Sequence, residues 1–237
     1  MGDVSRETPP EPDLALLAQV FAPDRLPVLR RYAELLATHG VTRGLIGPRE
    51  VPRLWDRHLV NCGLLSPVVP EGARLADLGS GAGLPGLVLA LARPDLQVTL
   101  VEPMLRRITF LTEVCEMLGV TNATVRRGRA EDRADEESFD VVTARALAPL
   151  PQLLAWALPL VAPGGALLAM KGSSAADEIR HASAELTRWG ASAEILRLSV
   201  PGSSTTTVVR VVPGPQPALG WRPTTPARRH TQRRTRS

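Results

Sequence analysis

Residues 75 to 86 read Leu75-Ala76-Asp77-Leu78-Gly79-Ser80-Gly81-Ala82-Gly83-Leu84-Pro85-Gly86, a short apolar run closed by an acid and followed by four glycines in eight positions. Glycine reaches positive φ and has no Cβ, so Gly79, Gly81 and Gly83 can fold tightly while a ligand lies against the main chain. Pro85 suits the first turn of a following helix, where its fixed φ is pre-organised and its missing N–H costs little. The chemistry on offer is therefore backbone recognition of a cofactor at a strand-to-helix turn. Glu102 ends the next apolar run, where a carboxylate can accept hydrogen bonds from ribose hydroxyls. The subset Gly81-x-Gly83-x-x-Gly86 also satisfies the dinucleotide fingerprint, so at this point a nicotinamide site stands as an alternative.

Alternating elements must position these residues. β-like runs are expected at 74–78, 97–101, 123–127, 139–143 and 166–170, separated by helical stretches at 84–92, 105–118, 149–158 and 174–189. That grammar is a βαβ series with a parallel sheet. Two further strands, 193–200 and 205–212, are joined by Pro201-Gly202-Ser203-Ser204, a link short enough to make an antiparallel hairpin. Ahead of the sheet lies a helical preface: Asp13 caps a first helix, Asp24 a second from 25 to 39 ended by Gly40, and a third spans 49–65 with Pro52 in its first turn. The expected organisation is a flexible N-terminus over 1–12, a helical extension over 13–72, an α/β domain over 73–212 and a basic disordered tail over 213–237.

Charge is distributed unevenly. The formal net charge is +4, but residues 213–237 hold six arginines and no acid, which leaves 22 basic against 24 acidic residues elsewhere. Such a tail either grips nucleic acid through phosphates or is simply solvated. Lys171 is the single lysine, so other cationic contacts must come from planar guanidinium groups. Aromatic residues make up 3%, too few for a base-stacking platform. No apolar run approaches a membrane span, the polar N-terminus does not read as a secretory signal, and Cys62 and Cys115 have neither metal nor disulfide spacing. A cytoplasmic monomer without metal is expected.

The pattern Asp77-x-Gly79-x-Gly81-x-Gly83 resembles motif I of the class I S-adenosylmethionine-dependent methyltransferases. Glu102 after the second strand, Arg129-Ala130-Glu131-Asp132 after the third and Pro163-Gly164-Gly165 before the fifth agree with that fold in order and spacing. The resemblance implies a Rossmann-like, seven-stranded, mostly parallel sheet with an antiparallel C-terminal edge. It narrows further at Arg57-His58-x-x-Asn61-Cys62, Leu84-Pro85-Gly86, Ala144-Arg145-Ala146-Leu147-Ala148 and Met170-Lys171-Gly172, which are similar to the motif set of the RsmG (GidB) family over about 25–212. The first segment departs from the family's usual Arg-His-x-x-Asp-Ser, so no carboxylate role is assigned to Asn61.

The resemblance implies methyl transfer from S-adenosyl-L-methionine to N7 of a guanine in 16S rRNA of the small ribosomal subunit. It implies cofactor contacts at Gly79, Leu84, Ala130, Glu131 and Arg145, to which the ribose argument adds Glu102. Guanine N7 carries an unprotonated lone pair, so no general base is expected. Arg145, Lys171, His58 and Arg57 are the candidates for positioning substrate, although His58 would equally serve to cap and pack the helical preface. Cys115 falls on an apolar helical stripe and reads as core, not as a nucleophile, and Trp55, Trp156 and Trp189 also read as core. Alternatives are a small-molecule methyltransferase of the same fold and a non-catalytic RNA- or ribosome-binding protein.

Overall fold

The computed structural model describes residues 9–129 and 138–215. Most of the Arg-rich tail, with Ala130 and Glu131, lies outside them. The helical preface begins with α1 (Leu14–Val20), where the Asp13 carboxylate accepts the Ala15 N–H at 3.1 Å as expected. Asp24 does not cap the next helix. It sits in a 3-10 turn, Pro23–Arg25, with its carboxylate held by the adjacent Arg25 guanidinium at 2.6 Å, and α2 starts one residue later (Leu26–Leu35). The third expected helix is three pieces: a 3-10 turn over Pro48–Arg53, a wide π turn over Leu54–Val60 and one α turn, α3 (Asn61–Gly63). Pro52 lacks the N–H that a regular ladder would need there.

The α/β part alternates β1 (Arg74–Leu78), α4 (Gly86–Ala92), β2 (Gln97–Glu102), α5 (Leu105–Leu118), β3 (Ala123–Arg127), β4 (Phe139–Arg145), α6 (Leu150–Ala157), β5 (Val161–Lys171), α7 (Ala175–His181), α8 (Ser183–Arg188), β6 (Ser192–Leu198) and β7 (Thr206–Val212). The strand order is β3-β2-β1-β4-β5-β7-β6. Strands β1 to β5 run parallel, and β7 is antiparallel both to β5 and to β6. The antiparallel strand expected at this end is thus β7, inserted just inside β6. Pro163-Gly164-Gly165 lies within β5 and not before it, as an irregularity where the pairing jumps from Phe139↔Val161 to Val141↔Ala166. A Cβ on Gly165 would lie 2.6 Å from the Asp140 carbonyl oxygen, so only glycine lets the strands approach there. The long helix expected over 174–189 breaks at Ala182 into α7 and α8.

Two apolar cores flank the sheet. One joins β4 and β5 to α6 and Trp189, and the other runs without a break from the preface (Leu17, Leu29, Leu36, Leu59) into α4, α5 and the facing side of the sheet. Tyr32 of α2 is fully buried and donates its hydroxyl to the Ala82 carbonyl at 2.6 Å. The preface is therefore fastened to the glycine turn itself. Chain order reverses at β1, which pairs with β2 on one side and β4 on the other. In open α/β sheets ligands bind in the crevice beyond the strand ends at such a point. No helix among the described residues is long and apolar enough to cross a membrane.

Candidate active site

At the carboxyl end of β1 the chain turns through Gly79, Gly81 and Gly83 at φ of +68°, +59° and +99°. This backbone is open to glycine and strained for other residues. Two buried carboxylates hold it. Asp77 accepts the Gly86 N–H at 3.0 Å and the Thr143 hydroxyl at 3.1 Å, and burial pushes its pKa up to about 6. A Cβ on Gly86 would stand 2.6 Å from the Asp77 Cβ, so glycine is also required where α4 begins. Pro85 precedes that helix as its cap residue. Glu102, with no exposed surface, accepts the N–H groups of Gly81 and Met104 at 3.0 Å each and lies 3.3 Å from the Arg107 guanidinium. In this structure its carboxylate shapes the turn and does not face solvent. Beside Gly81 the space that a Cβ would take is open among the described residues, with only the Gly79 carbonyl within reach at 3.7 Å, as a ligand lying against the turn requires.

Next to the turn, across the ends of β4, β5 and β7, is a cleft of about 880 Å³. Its wall includes Glu50, Arg57, His58, Arg145 and Lys171, so the four positioning residues expected from sequence meet in one place. Leu147 connects the two regions: it lines the cleft, and its Cδ1 lies 2.6 Å from where a Gly79 Cβ would be. The Arg145 guanidinium meets His58 Nδ1 at 2.9 Å and donates to the Arg57 carbonyl at 3.2 Å, while His58 Nε2 lies 3.0 Å from a Glu50 carboxylate oxygen. Burial and the neighbouring Arg145 lower the His58 pKa, against the pull of Glu50. Cys62 packs its sulfur 3.5 Å from Arg145, and burial raises both thiols, Cys62 and Cys115, to about 11. Neither is a thiolate at neutral pH.

A family described as rRNA small subunit methyltransferase G matches residues 25–202. The ribosomal RNA small subunit methyltransferase G of Nocardioides sp. (strain ATCC BAA-499 / JS614) is 58% identical over 98% of this chain and 93% of its own. The chain belongs to this family. The same-named protein of Kineococcus radiotolerans is 56% identical over 89% of this chain and 84% of its own. In fold the chain is similar to a precorrin-6y C5,15-methyltransferase from Geobacter metallireducens GS-15, with a TM-score of 0.50 at 15% identity over 72% of this chain and 91% of that one. The architecture is thus that of the class I methyltransferases, and the cofactor that goes with the family is S-adenosylmethionine.

Against the family's motifs, Gly79 and Leu84 stand in the turn, Leu84 half-buried against the preface core, while Arg145 stands in the cleft. Ala130 and Glu131 lie outside the described residues. Lys171, the last residue of β5, is 9% exposed and gives its ammonium to Glu178 at 2.6 Å and to the Ala148 carbonyl at 2.8 Å. Glu178 in turn accepts the Leu150 N–H, so this ion pair pins the end of the 146–149 loop to the start of α6. Burial opposes ionisation of Glu178, but Lys171 and that N–H outweigh it and lower its pKa. The methyltransferase's cleft also uses residues that sequence reasoning missed: Glu50, Glu178 and Thr206, the last bonded through its hydroxyl to the Asn61 side chain. Glu50 lies seven and eight residues before Arg57 and His58, two helical turns away, and that spacing was the available signal.

Proposed function

We propose that this protein transfers a methyl group from S-adenosyl-L-methionine to N7 of a guanine in the 16S rRNA of the small ribosomal subunit, acting as a cytoplasmic monomer that needs no metal. The observation that carries the reading is the meeting of a left-handed glycine turn and an arginine-bearing cleft at the β1/β4 switch point, with Leu147 touching both. Gly79, Leu84, Ala130, Glu131 and Arg145 would hold the cofactor, with the fully buried Glu102 fixing the turn from behind rather than meeting a ribose hydroxyl. When bound, the cofactor supplies an electrophilic methyl group on a sulfonium sulfur.

Among the described residues the cleft has donors and no free base. His58 has both ring nitrogens engaged, and Glu50 and Glu178 are held by cations. That suits guanine N7, which has no proton to remove. The work left to the chain is to hold the base in line with the methyl group. Arg145 is a planar donor suited to O6 or to a phosphate, and its charge opposes the positive charge growing on the purine, so its part is positioning. The test replaces guanine by 7-deazaguanine in a 16S rRNA transcript assembled into small subunits. Methylation should disappear with the N7 lone pair, and labelling that persists would refute N7 as the nucleophile.

A further inference from the structure

We propose that Glu50 is a positioning residue for methyl transfer, acting through His58 to hold the Arg145 guanidinium at the cleft beside the cofactor turn. The chain of contacts is short: Glu50 Oε2 to His58 Nε2 at 3.0 Å, then His58 Nδ1 to Arg145 Nη2 at 2.9 Å. A guanidinium has donors and no acceptor, so Nδ1 must accept from Arg145 and the ring proton must sit on Nε2, where it is donated to Glu50. One neutral tautomer satisfies both contacts, and Glu50 selects it. The remaining anchors of Arg145, the Arg57 carbonyl at 3.2 Å and the Cys62 sulfur at 3.5 Å, come from the same stretch of the helical preface.

The arrangement has a consequence for charge. Lys171 in the same cleft is neutralised by direct contact with Glu178, and Arg57 leans on Glu50 at 3.3 Å. Among the described residues no carboxylate lies within ion-pair distance of Arg145, whose partners are an imidazole, a carbonyl and a thiol. An imidazole between acid and arginine fixes the guanidinium while leaving its charge available for a base oxygen or a phosphate.

Protonation of His58 breaks the device, because an imidazolium has no acceptor for Arg145 and repels it. The groups that bear on His58 are Glu50 from the 3-10 turn, which Arg53 also influences, Arg57 on its own turn, Arg145 from β4 and the neutral Cys62 thiol from α3. Lys171 and Glu178 stand as a pair in the same cleft. Of these, Arg145 and Arg57 lower the His58 pKa and Glu50 raises it.

The inference rests on Arg145 as a positioning residue for the guanine. The test is methyl transfer to small subunits measured from pH 5 to 8.5 for the parent protein and for Glu50→Ala, Glu50→Gln, Arg57→Gln and Arg145→Gln, with melting temperature and S-adenosylmethionine affinity recorded for each. Glu50→Ala should lower kcat about tenfold with the melting temperature and cofactor affinity retained. Glu50→Gln, whose amide oxygen still accepts from Nε2, should restore most of that loss at pH 7.5. Its acid limb should move to lower pH because the carboxylate that favours the imidazolium is gone, whereas Arg57→Gln should move the limb to higher pH. An unchanged kcat in Glu50→Ala, or acid limbs that stay in place, would overturn the relay, as would a Glu50→Ala protein that melts early and loses cofactor. Undiminished transfer by Arg145→Gln would instead overturn the reading of Arg145 itself.

Discussion

In the turn after β1 the groups presented to a ligand are backbone, held by left-handed glycines and by two buried acids that accept backbone N–H groups. In the neighbouring cleft they are side chains brought from Glu50, the Arg57-His58 pair, Arg145, the Lys171 and Glu178 pair and Thr206. The turn depends on backbone geometry that a Cβ destroys, so a side chain added there acts all or none, whereas loosening its supports at Asp77 or Tyr32 is graded. The cleft depends on hydrogen bonds that are each worth about 1 kcal/mol net, so damage there is graded and pH-dependent.

The contrast is broken most severely at Gly79. Gly79→Asp places a side chain at φ +68° against Leu147, and calorimetry should find no S-adenosylmethionine binding; retained binding would move the cofactor elsewhere. Gly86→Ala drives a Cβ into Asp77 and Leu100 and should destabilise the fold by about 3 kcal/mol, a fall in Tm of about 6–12 °C. In the cleft, Arg145→Gln should leave Tm nearly unchanged and lower kcat/KM for RNA roughly 100-fold. Asp77 sharpens the comparison through pH. Its folded pKa of about 6 lies above the ordinary 3.8, so its contribution to stability is present below about pH 4 and lost as the pH rises through 6. Asp77→Asn should remove that decline, seen as a difference between the two denaturation profiles over pH 4 to 6.5. The smallest effect is expected for Tyr32→Phe, which deletes the bond to Ala82: about 1 kcal/mol in stability, with a cofactor Kd raised about fivefold.

What could be read from sequence follows the same division. The strands, the turn and the helix after it were legible because each rests on local rules: apolar runs, glycine where φ is positive, an acid at a strand end. Asp13 was legible as a cap, whereas Asp24 was not, since its neighbour Arg25 captures the carboxylate. The bulge at Gly165 was missed because it depends on the Asp140 carbonyl of another strand. The cleft was only half legible. Its cations stood out by type, but the contacts that fix them do not: Arg145 meets His58 across 87 positions, just as the turn's own anchor, Tyr32 to Ala82, spans 50. No periodicity marks such pairs. The preface likewise read as a separate extension, although its apolar residues share one core with the sheet.

The central claim is that the turn delivers a methyl group to a guanine N7 held in the adjoining cleft. Its most direct test is transfer of labelled methyl from S-adenosylmethionine to small ribosomal subunits, followed by mapping of the modified base in the 16S rRNA. The account predicts one labelled 7-methylguanine, absent with Gly79→Asp protein. Label on an exocyclic nitrogen or a pyrimidine, or none in the RNA, would contradict it.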